Sequence, residues 1–127
     1  MLNKIIIFFI IISNLFILNV YGDQINFDVS EIEILDDGNK IIGKKRGTIT
    51  TNNGITIEAD KFEFDKKKNI LKAQDNIIIK DEVNNYNFFG QNILYVKNDE
   101  RIQIKGKAKA LIGNNYEFNT KDITILR

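Results

Sequence analysis

The chain has 127 residues with 18 basic and 17 acidic side chains, and its net charge of +1 argues against bulk electrostatic attraction to nucleic acid or an anionic membrane. It contains no cysteine and no histidine, which excludes a Cys/His zinc site, a cysteine nucleophile and a histidine general base. It also lacks proline, so its strands face no internal breaks.

The first 22 residues are predicted to be a signal peptide. Lys4 supplies a positive start, and an apolar stretch runs from Ile5 to Leu18. Val20-Tyr21-Gly22 then permits cleavage before Asp23, which leaves residues 23–127 as one small domain. The alternative is an uncleaved membrane anchor, but the apolar stretch is shorter than the ~20 residues that a spanning helix needs. Both alternatives place the domain outside the cytoplasm. Lys4 is the only charged residue removed, so the domain has no formal net charge.

Short strands with alternating apolar residues dominate the rest of the chain. The first strand begins near Phe27 and changes face near Ser30, and the turn at Asp36–Asn39 ends it. Asn53-Gly54 suits the positive φ of a tight hairpin between the third and fourth strands. Further strands are predicted at residues 40–43, 47–51, 55–59, 61–64, 70–73, 77–80, 86–90, 93–96, 102–105, 107–111, 116–119 and 123–126. This pattern predicts an all-β domain.

Pairs of apolar residues recur along the chain at steps of 30 or 31 residues. One series is Ile32/Ile34, Phe62/Phe64, Ile93/Tyr95 and Ile123/Ile125; a second is Ile55/Ile57, Tyr86/Phe88 and Tyr116/Phe118; a third is Ile41, Leu71 and Ile102. Members of a pair are two residues apart and therefore lie on one face of a strand. The repeat predicts stacked copies of one β unit with a continuous apolar face, and it favours a solenoid-like jelly roll over an immunoglobulin sandwich.

Charged residues of both signs are interpreted first as solvated faces and loops. The carboxylate pairs Glu31/Glu33, Glu58/Asp60, Glu63/Asp65 and Asp99/Glu100 alternate with apolar residues or lie in turns, as on the wet side of a strand. An exported hydrolase that uses such a pair is the remote alternative. No loop has the spacing of a calcium site, and no metal or other cofactor is expected. The basic runs Lys44–Arg46 and Lys66–Lys68 are interpreted as solvated loops between strands. The alternative interpretation is that they contact phosphates of a ligand's head group.

Three stretches resemble a known family. They are residues 47–65 with the sequence GTITTNNGITIEADKFEFD, residues 69–80 with NILKAQDNIIIK, and residues 89–95 with FGQNILY. Together they are similar to the OstA-like family, which includes periplasmic lipopolysaccharide transport protein A and the N-terminal domain of lipopolysaccharide-assembly protein D. The matching positions are Ala59, Asp60, Phe62, Phe64, Asp65, Leu71, Ala73, Asn76 and Ile77. Asp75 departs from the family, which usually has glycine there.

The resemblance implies an open, V-shaped β-jelly roll whose apolar interior holds the acyl chains of lipopolysaccharide. The expected lipid-binding residues are Ile32, Ile34, Ile55, Ile57, Phe62, Phe64, Leu71, Tyr86, Phe88, Ile93, Tyr95, Ile102, Ile104, Tyr116, Phe118, Ile123 and Ile125. The residues alone favour the alternative, in which the same side chains fill a closed core, and only the resemblance favours a lipid path. The resemblance further implies a periplasmic, non-enzymatic protein.

The terminal strands are the expected contact sites for protein partners. Residues 25–35 open the fold and residues 122–127 end it, and edge strands present unpaired backbone groups that recruit another strand. The implied partners are other OstA-like domains or a second copy of this chain, joined head to tail. The rival hypothesis is an exported β scaffold that binds only proteins, with a fragment of a lipopolysaccharide-assembly protein D as one form of it.

Overall fold

The computed structural model describes residues 25–126, which fold into β-strands and one short 3₁₀ turn at Lys97–Asp99. The predicted signal peptide lies outside the described residues. The strands are β1 (Ile25–Val29), β2 (Ile32–Leu35), β3 (Lys40–Gly43), β4 (Gly47–Thr51), β5 (Ile55–Ala59), β6 (Lys61–Asp65), β7 (Ile70–Asp81), β8 (Tyr86–Val96), β9 (Arg101–Lys105), β10 (Ala108–Ile112), β11 (Tyr116–Thr120) and β12 (Ile123–Leu126). The predicted all-β class is confirmed. Residues 25–126 contain no helix that is long and apolar enough to cross a membrane.

All strand pairs are antiparallel, and the chain forms one sheet that folds onto itself in two halves, named here sheet I and sheet II. Sheet I has the order β1–β4–β5–β7–β8–β10–β11, and sheet II has the order β2–β3–β6–β7–β8–β9–β12. Because β7 and β8 are long enough to contribute to both halves, they hold the two sheets together. The result is the jelly roll that the repeat predicted.

The two predicted strands at residues 70–73 and 77–80 are one continuous strand, and so are those at 86–90 and 93–96. In β7 the first half pairs with β6 and the second half with β5. A bulge at Asp75 and Asn76, with φ of 65° and 51°, carries the strand from sheet II into sheet I. Such left-handed backbone favours glycine, and Asp and Asn are among the few other residues that adopt it, so Asp75 can occupy this position.

The turns of successive repeats are tied together by backbone hydrogen bonds. The N–H groups of Lys66 and Lys97 donate to the carbonyl oxygens of Asn39 and Asn69, at 2.9 and 3.0 Å. Each bond joins the first residue of one sheet II turn to the last residue of the preceding turn. The thirty-residue spacing in the sequence is therefore the length of chain that returns to an equivalent place in the sheet.

The interior is lined by apolar rows that cross all seven strands of each sheet. In sheet II one row runs through Ile34, Ile41, Phe64, Leu71, Tyr95, Ile102 and Ile125. In sheet I the facing row runs through Phe27, Ile49, Ile57, Ile79, Phe88, Ala110 and Phe118. The middle members of both rows form the hydrophobic core.

Candidate functional site: the apolar interior and its openings

The structure places the predicted lipid-binding residues in the two apolar rows or two positions along the same strands. Those on β2, β6, β9 and β12 lie in sheet II, and those on β5 and β11 lie in sheet I. β7 contributes Leu71 to sheet II. The long strand β8 contributes Tyr86 and Phe88 to sheet I and Ile93 and Tyr95 to sheet II. These side chains therefore share one interior, although they come from strands far apart in sequence.

Exposure rises along each row from a buried centre to one exposed end. At the centre, Ile57 and Leu71 have no accessible surface. At the exposed ends, Ile34 on β2 is 64% exposed and Phe118 on β11 is 54% exposed. Tyr116 lies beside Phe118 and is also exposed. Ile34 and Phe118 lie on edge strands, so each end of the jelly roll exposes apolar surface. The opposite row ends, Phe27 and Ile125, are partly buried against the core.

Several wall residues are absent from the sequence-based list, among them Ile25, Phe27, Ile49 and Ile79. They face the same interior from sheet I and pack in or against the core. The signal was present, since Ile25, Phe27 and Val29 alternate at the spacing of a strand. The thirty-residue series did not include them because most of its pairs lie in sheet II.

On one side of the jelly roll the hairpin turns of sheet I face those of sheet II, along a line named here the seam. A side-chain hydrogen bond crosses the seam from Asn53 Nδ2 in the β4–β5 turn to Glu100 Oε1 after β8, at 3.1 Å. The buried Thr51 hydroxyl donates to Asn53 Oδ1 and accepts the backbone N–H of Ile55 at 3.2 Å. Thr51 thereby orients the Asn53 amide towards Glu100.

Two clefts open along the seam, and each is lined by residues of both sheets. The N-terminal cleft, of about 340 Å³, is lined by Ile25, Phe27, Ile41, Phe64, Lys66, Asn69 and Lys97. The C-terminal cleft, of about 560 Å³, is lined by Asn53, Val83, Asn84, Tyr86, Glu100 and Leu126. Both volumes fall in the range of ligand pockets, about 300–1,000 Å³. The clefts differ in charge, because two lysines border the first and a glutamate borders the second.

A third cleft lies outside the interior, on the outer face of sheet I. It measures about 500 Å³ and has Ile78 and Phe89 among its lining residues, together with Arg46, Lys107 and Lys109. Ile78 and Phe89 alternate with inward-facing neighbours on β7 and β8. This cleft is therefore separated from the apolar rows by the thickness of the sheet.

The carboxylates that the sequence offered as catalytic candidates are engaged with basic or polar side chains. Glu31 and Glu33 form ion pairs with Lys45 and Lys44, Glu63 with Lys40, and Asp99 with Arg101. Glu58 contacts Lys80 at 3.0 Å and Arg46 at 3.5 Å. Asp65 accepts the Lys68 N–H at 3.0 Å, and this hydrogen bond is the main cause of the lowered pKa of its carboxyl group. Within residues 25–126 no group of three acidic side chains is placed to hold a metal ion.

A polar group at the fold's corner, named here the corner cluster, consists of Arg46, Asp60 and Asn76. Asp60 accepts hydrogen bonds from Asn76 Nδ2 at 2.7 Å and Arg46 Nη1 at 2.9 Å. Arg46 also donates to the Asn76 carbonyl oxygen at 3.0 Å, and the Asp60 N–H donates to the carbonyl of Asp75. The cluster joins the β3–β4 loop, the β5–β6 corner and the β7 bulge, so it holds sheet I and sheet II in their relative orientation.

We expect the corner cluster to make the free energy of unfolding fall as the pH is lowered. The Asn76 amide and then the Arg46 guanidinium hold the pKa of Asp60 below its ordinary value. A lowered folded-state pKa gives stability that is present above the unfolded pKa of about 3.9 and is lost as pH falls through the folded value. Urea unfolding at pH 7 and pH 3 should show a smaller pH effect in Asp60→Asn than in the wild type. Asp28→Asn, an exposed change on β1, should keep the wild-type effect; equal pH effects in all three proteins would contradict the prediction.

Comparison with known proteins supports the fold assignment. No protein-family model matches the sequence, and a search of curated proteins finds no match. Among solved structures, the chain is similar to LptH from Pseudomonas aeruginosa, described as the LptA-homologous periplasmic component of the lipopolysaccharide transport device. The TM-score is 0.71 over 80% of this chain and 74% of that chain, at 13% sequence identity. At this identity the likeness shows a shared jelly-roll fold.

Proposed function

We propose that this protein is a periplasmic module that binds lipopolysaccharide and passes it towards the outer membrane. The main supporting observation is the pair of apolar rows. Each row is continuous across seven strands and has one exposed end, Ile34 in sheet II and Phe118 in sheet I. The fold shared with a periplasmic lipopolysaccharide transport component supports this proposal. It has no enzymatic step, since its work is to shield acyl chains from water.

The physical basis is the transfer of acyl chains from water to an apolar surface. Each CH₂ group buried contributes about 0.8 kcal/mol, so a lipid with several chains is held strongly by a long apolar interior. The centre of the interior is closed, because Ile57, Leu71 and Ile104 have no accessible surface. Acyl chains that pass through it therefore require the two sheets to separate along the seam.

Head-to-tail assembly would extend this interior from one domain to the next. β1 and β2 end the two sheets on one side, and β11 and β12 end them on the other. Within residues 25–126 each of these strands pairs with one neighbour, which leaves its outer backbone groups available to another strand. We propose that these edges pair with other OstA-like domains or with a second copy of this chain.

The alternative function is an exported scaffold that binds only proteins through its edges. The closed centre of the interior favours this alternative, because a core without space needs no ligand to be stable. The scaffold uses the same edge strands as the transport module. The two functions differ in whether lipid ever contacts the inner rows.

Photocrosslinking in cells that make lipopolysaccharide separates the two functions. A photoreactive residue at Phe88, in the buried part of a row, or at Phe118, at its exposed end, should give a lipopolysaccharide adduct. The same residue at Lys67, in an exposed turn, is the control and should give none. Folded, exported protein without an adduct at either apolar position would overturn the transport function and favour the scaffold.

A further inference from the structure

The N-terminal cleft combines an apolar wall with two lysines at the border of the interior. The outer cleft also has lysines beside apolar residues, but it lies on the outer face of sheet I. Its wall brings Ile25 and Phe27 of sheet I close to Ile41 and Phe64 of sheet II. The rings of Phe27 and Phe64 meet across the gap with their centroids 5.7 Å apart. This contact places the apolar wall at the point where the seam leads into the interior rows.

The two lysines occupy equivalent positions in successive repeats. Lys66 and Lys97 each begin a turn of sheet II, and their N–H groups are held by Asn39 and Asn69 of the turn before. The fold therefore sets both side chains at the border of one cleft, with Asn69 beside them. A pair of cations beside an apolar wall matches an amphiphile with an anionic head.

The other basic run of the sequence, Lys44–Arg46, forms ion pairs with acidic side chains outside the cleft. Lys44 contacts Glu33, Lys45 contacts Glu31 at 3.1 Å, and Arg46 contacts Asp60 at 2.9 Å. The glutamate partner also raises the pKa of Lys44. Of the two basic runs in the sequence, the one at residues 66–68 is therefore the one that contributes to a cleft open to the interior.

Charge differs between the two ends of the seam. The C-terminal cleft is bordered by Glu100, and the Asn53–Glu100 hydrogen bond crosses the seam. An anionic head group is attracted at the first cleft and repelled at the second. The seam therefore has a preferred end for an anionic lipid.

We propose that the N-terminal cleft binds the phosphate-bearing head of an acylated lipid, with Lys66 and Lys97 contacting the phosphate and the acyl chain entering between Phe27 and Phe64. The proposal rests on the lipid-binding function proposed above and adds the place and the head-group chemistry of the first contact. Phosphate is favoured because a lysine pair contacts its several oxygens as point charges.

The test uses the purified protein and three soluble probes: dodecyl phosphate, dodecyl maltoside and inorganic phosphate. Calorimetry below the micellar concentration should give dodecyl phosphate about a tenfold lower Kd than dodecyl maltoside, as expected for two partly exposed charge contacts. Lys66→Gln/Lys97→Gln should remove this difference. Lys44→Gln/Lys45→Gln, a matched change in the engaged basic run, should leave it. Thermal unfolding followed by circular dichroism checks that both variants are folded.

Two results would overturn the proposal. One is inorganic phosphate binding as tightly as dodecyl phosphate, which would make the cleft a site for free phosphate. The other is an unchanged preference for dodecyl phosphate in Lys66→Gln/Lys97→Gln. If either occurs while Phe88 and Phe118 still crosslink to lipopolysaccharide in cells, the cleft assignment fails and the transport function stands. If neither Phe88 nor Phe118 gives an adduct in the otherwise unaltered protein, the transport function itself is overturned.

Discussion

Replacement of Gly90 by alanine should lower the free energy of unfolding by about 1–3 kcal/mol, the usual cost of overpacking a core. Gly90 lies in β8, where that strand changes from sheet I to sheet II. A Cβ atom there would come within 2.4 Å of Cγ2 of Ile104, a side chain without accessible surface. That methyl group is attached directly to Cβ of a β-branched residue, so it cannot swing aside, and the backbone or the core must shift.

A double-mutant cycle with Ile104 tests this cause. Ile104→Ala removes the clashing methyl group and by itself should cost about 2–5 kcal/mol through the cavity that it leaves. If the clash is the reason for the Gly90→Ala effect, the double variant should be more stable than the sum of the two single changes predicts. Urea unfolding of the four proteins provides the measurement. Lys105→Ala, an exposed change next to Ile104 on β9, is the control and should stay within about 0.5 kcal/mol of the wild type.

Tethering the two sheets across the seam should nearly abolish the lipopolysaccharide adduct from Phe88. The core between the sheets is closed, so acyl chains reach Phe88 only if the seam opens. The natural chain has no cysteine, and cysteines introduced at Asn53 and Glu100 can be joined selectively by a short bis-maleimide. The measurement is adduct yield from purified protein mixed with lipopolysaccharide, before and after tethering.

Two controls accompany the tether. The untethered Asn53→Cys/Glu100→Cys protein controls for loss of the hydrogen bond and should retain the adduct. Thr56→Cys/Lys80→Cys, joined in the same way, links two neighbouring strands within sheet I and should also retain it. An undiminished adduct in the protein tethered across the seam would mean that lipid reaches Phe88 without separation of the sheets at Asn53 and Glu100, through the N-terminal cleft or the exposed row ends.

Much of the local structure could be predicted from the sequence because its causes are local. Alternating residues placed the strands and their inner faces, and turns such as Asn53-Gly54 lie where their residue types suggested. The change of strand face predicted near Ser30 lies between β1 and β2, where the chain leaves sheet I for sheet II. The strand division at residues 74–76 was wrong, because a bulge with two left-handed residues continues the strand instead of ending it.

The candidate site was predicted only in part. The thirty-residue series identified most of the inner rows, but it could not rank their members by exposure. Leu71 and Phe118 belong to the same kind of series, yet one is fully buried and the other is 54% exposed. The difference depends on how many strands lie on either side of each residue, and that number follows from the strand order of the whole sheet.

The sequence by itself determined that this is a β protein built from thirty-residue repeats with one apolar face, since periodicity and turn chemistry act over a few neighbouring residues. Only the tertiary structure decided that the two sheets close over the centre of the interior and that Asn53 meets Glu100 across the seam. It also decided that Lys66 and Lys97 border one cleft. These contacts join residues about 30 to 50 positions apart, and their partners are set by how the sheet folds onto itself and not by the local pattern around either residue.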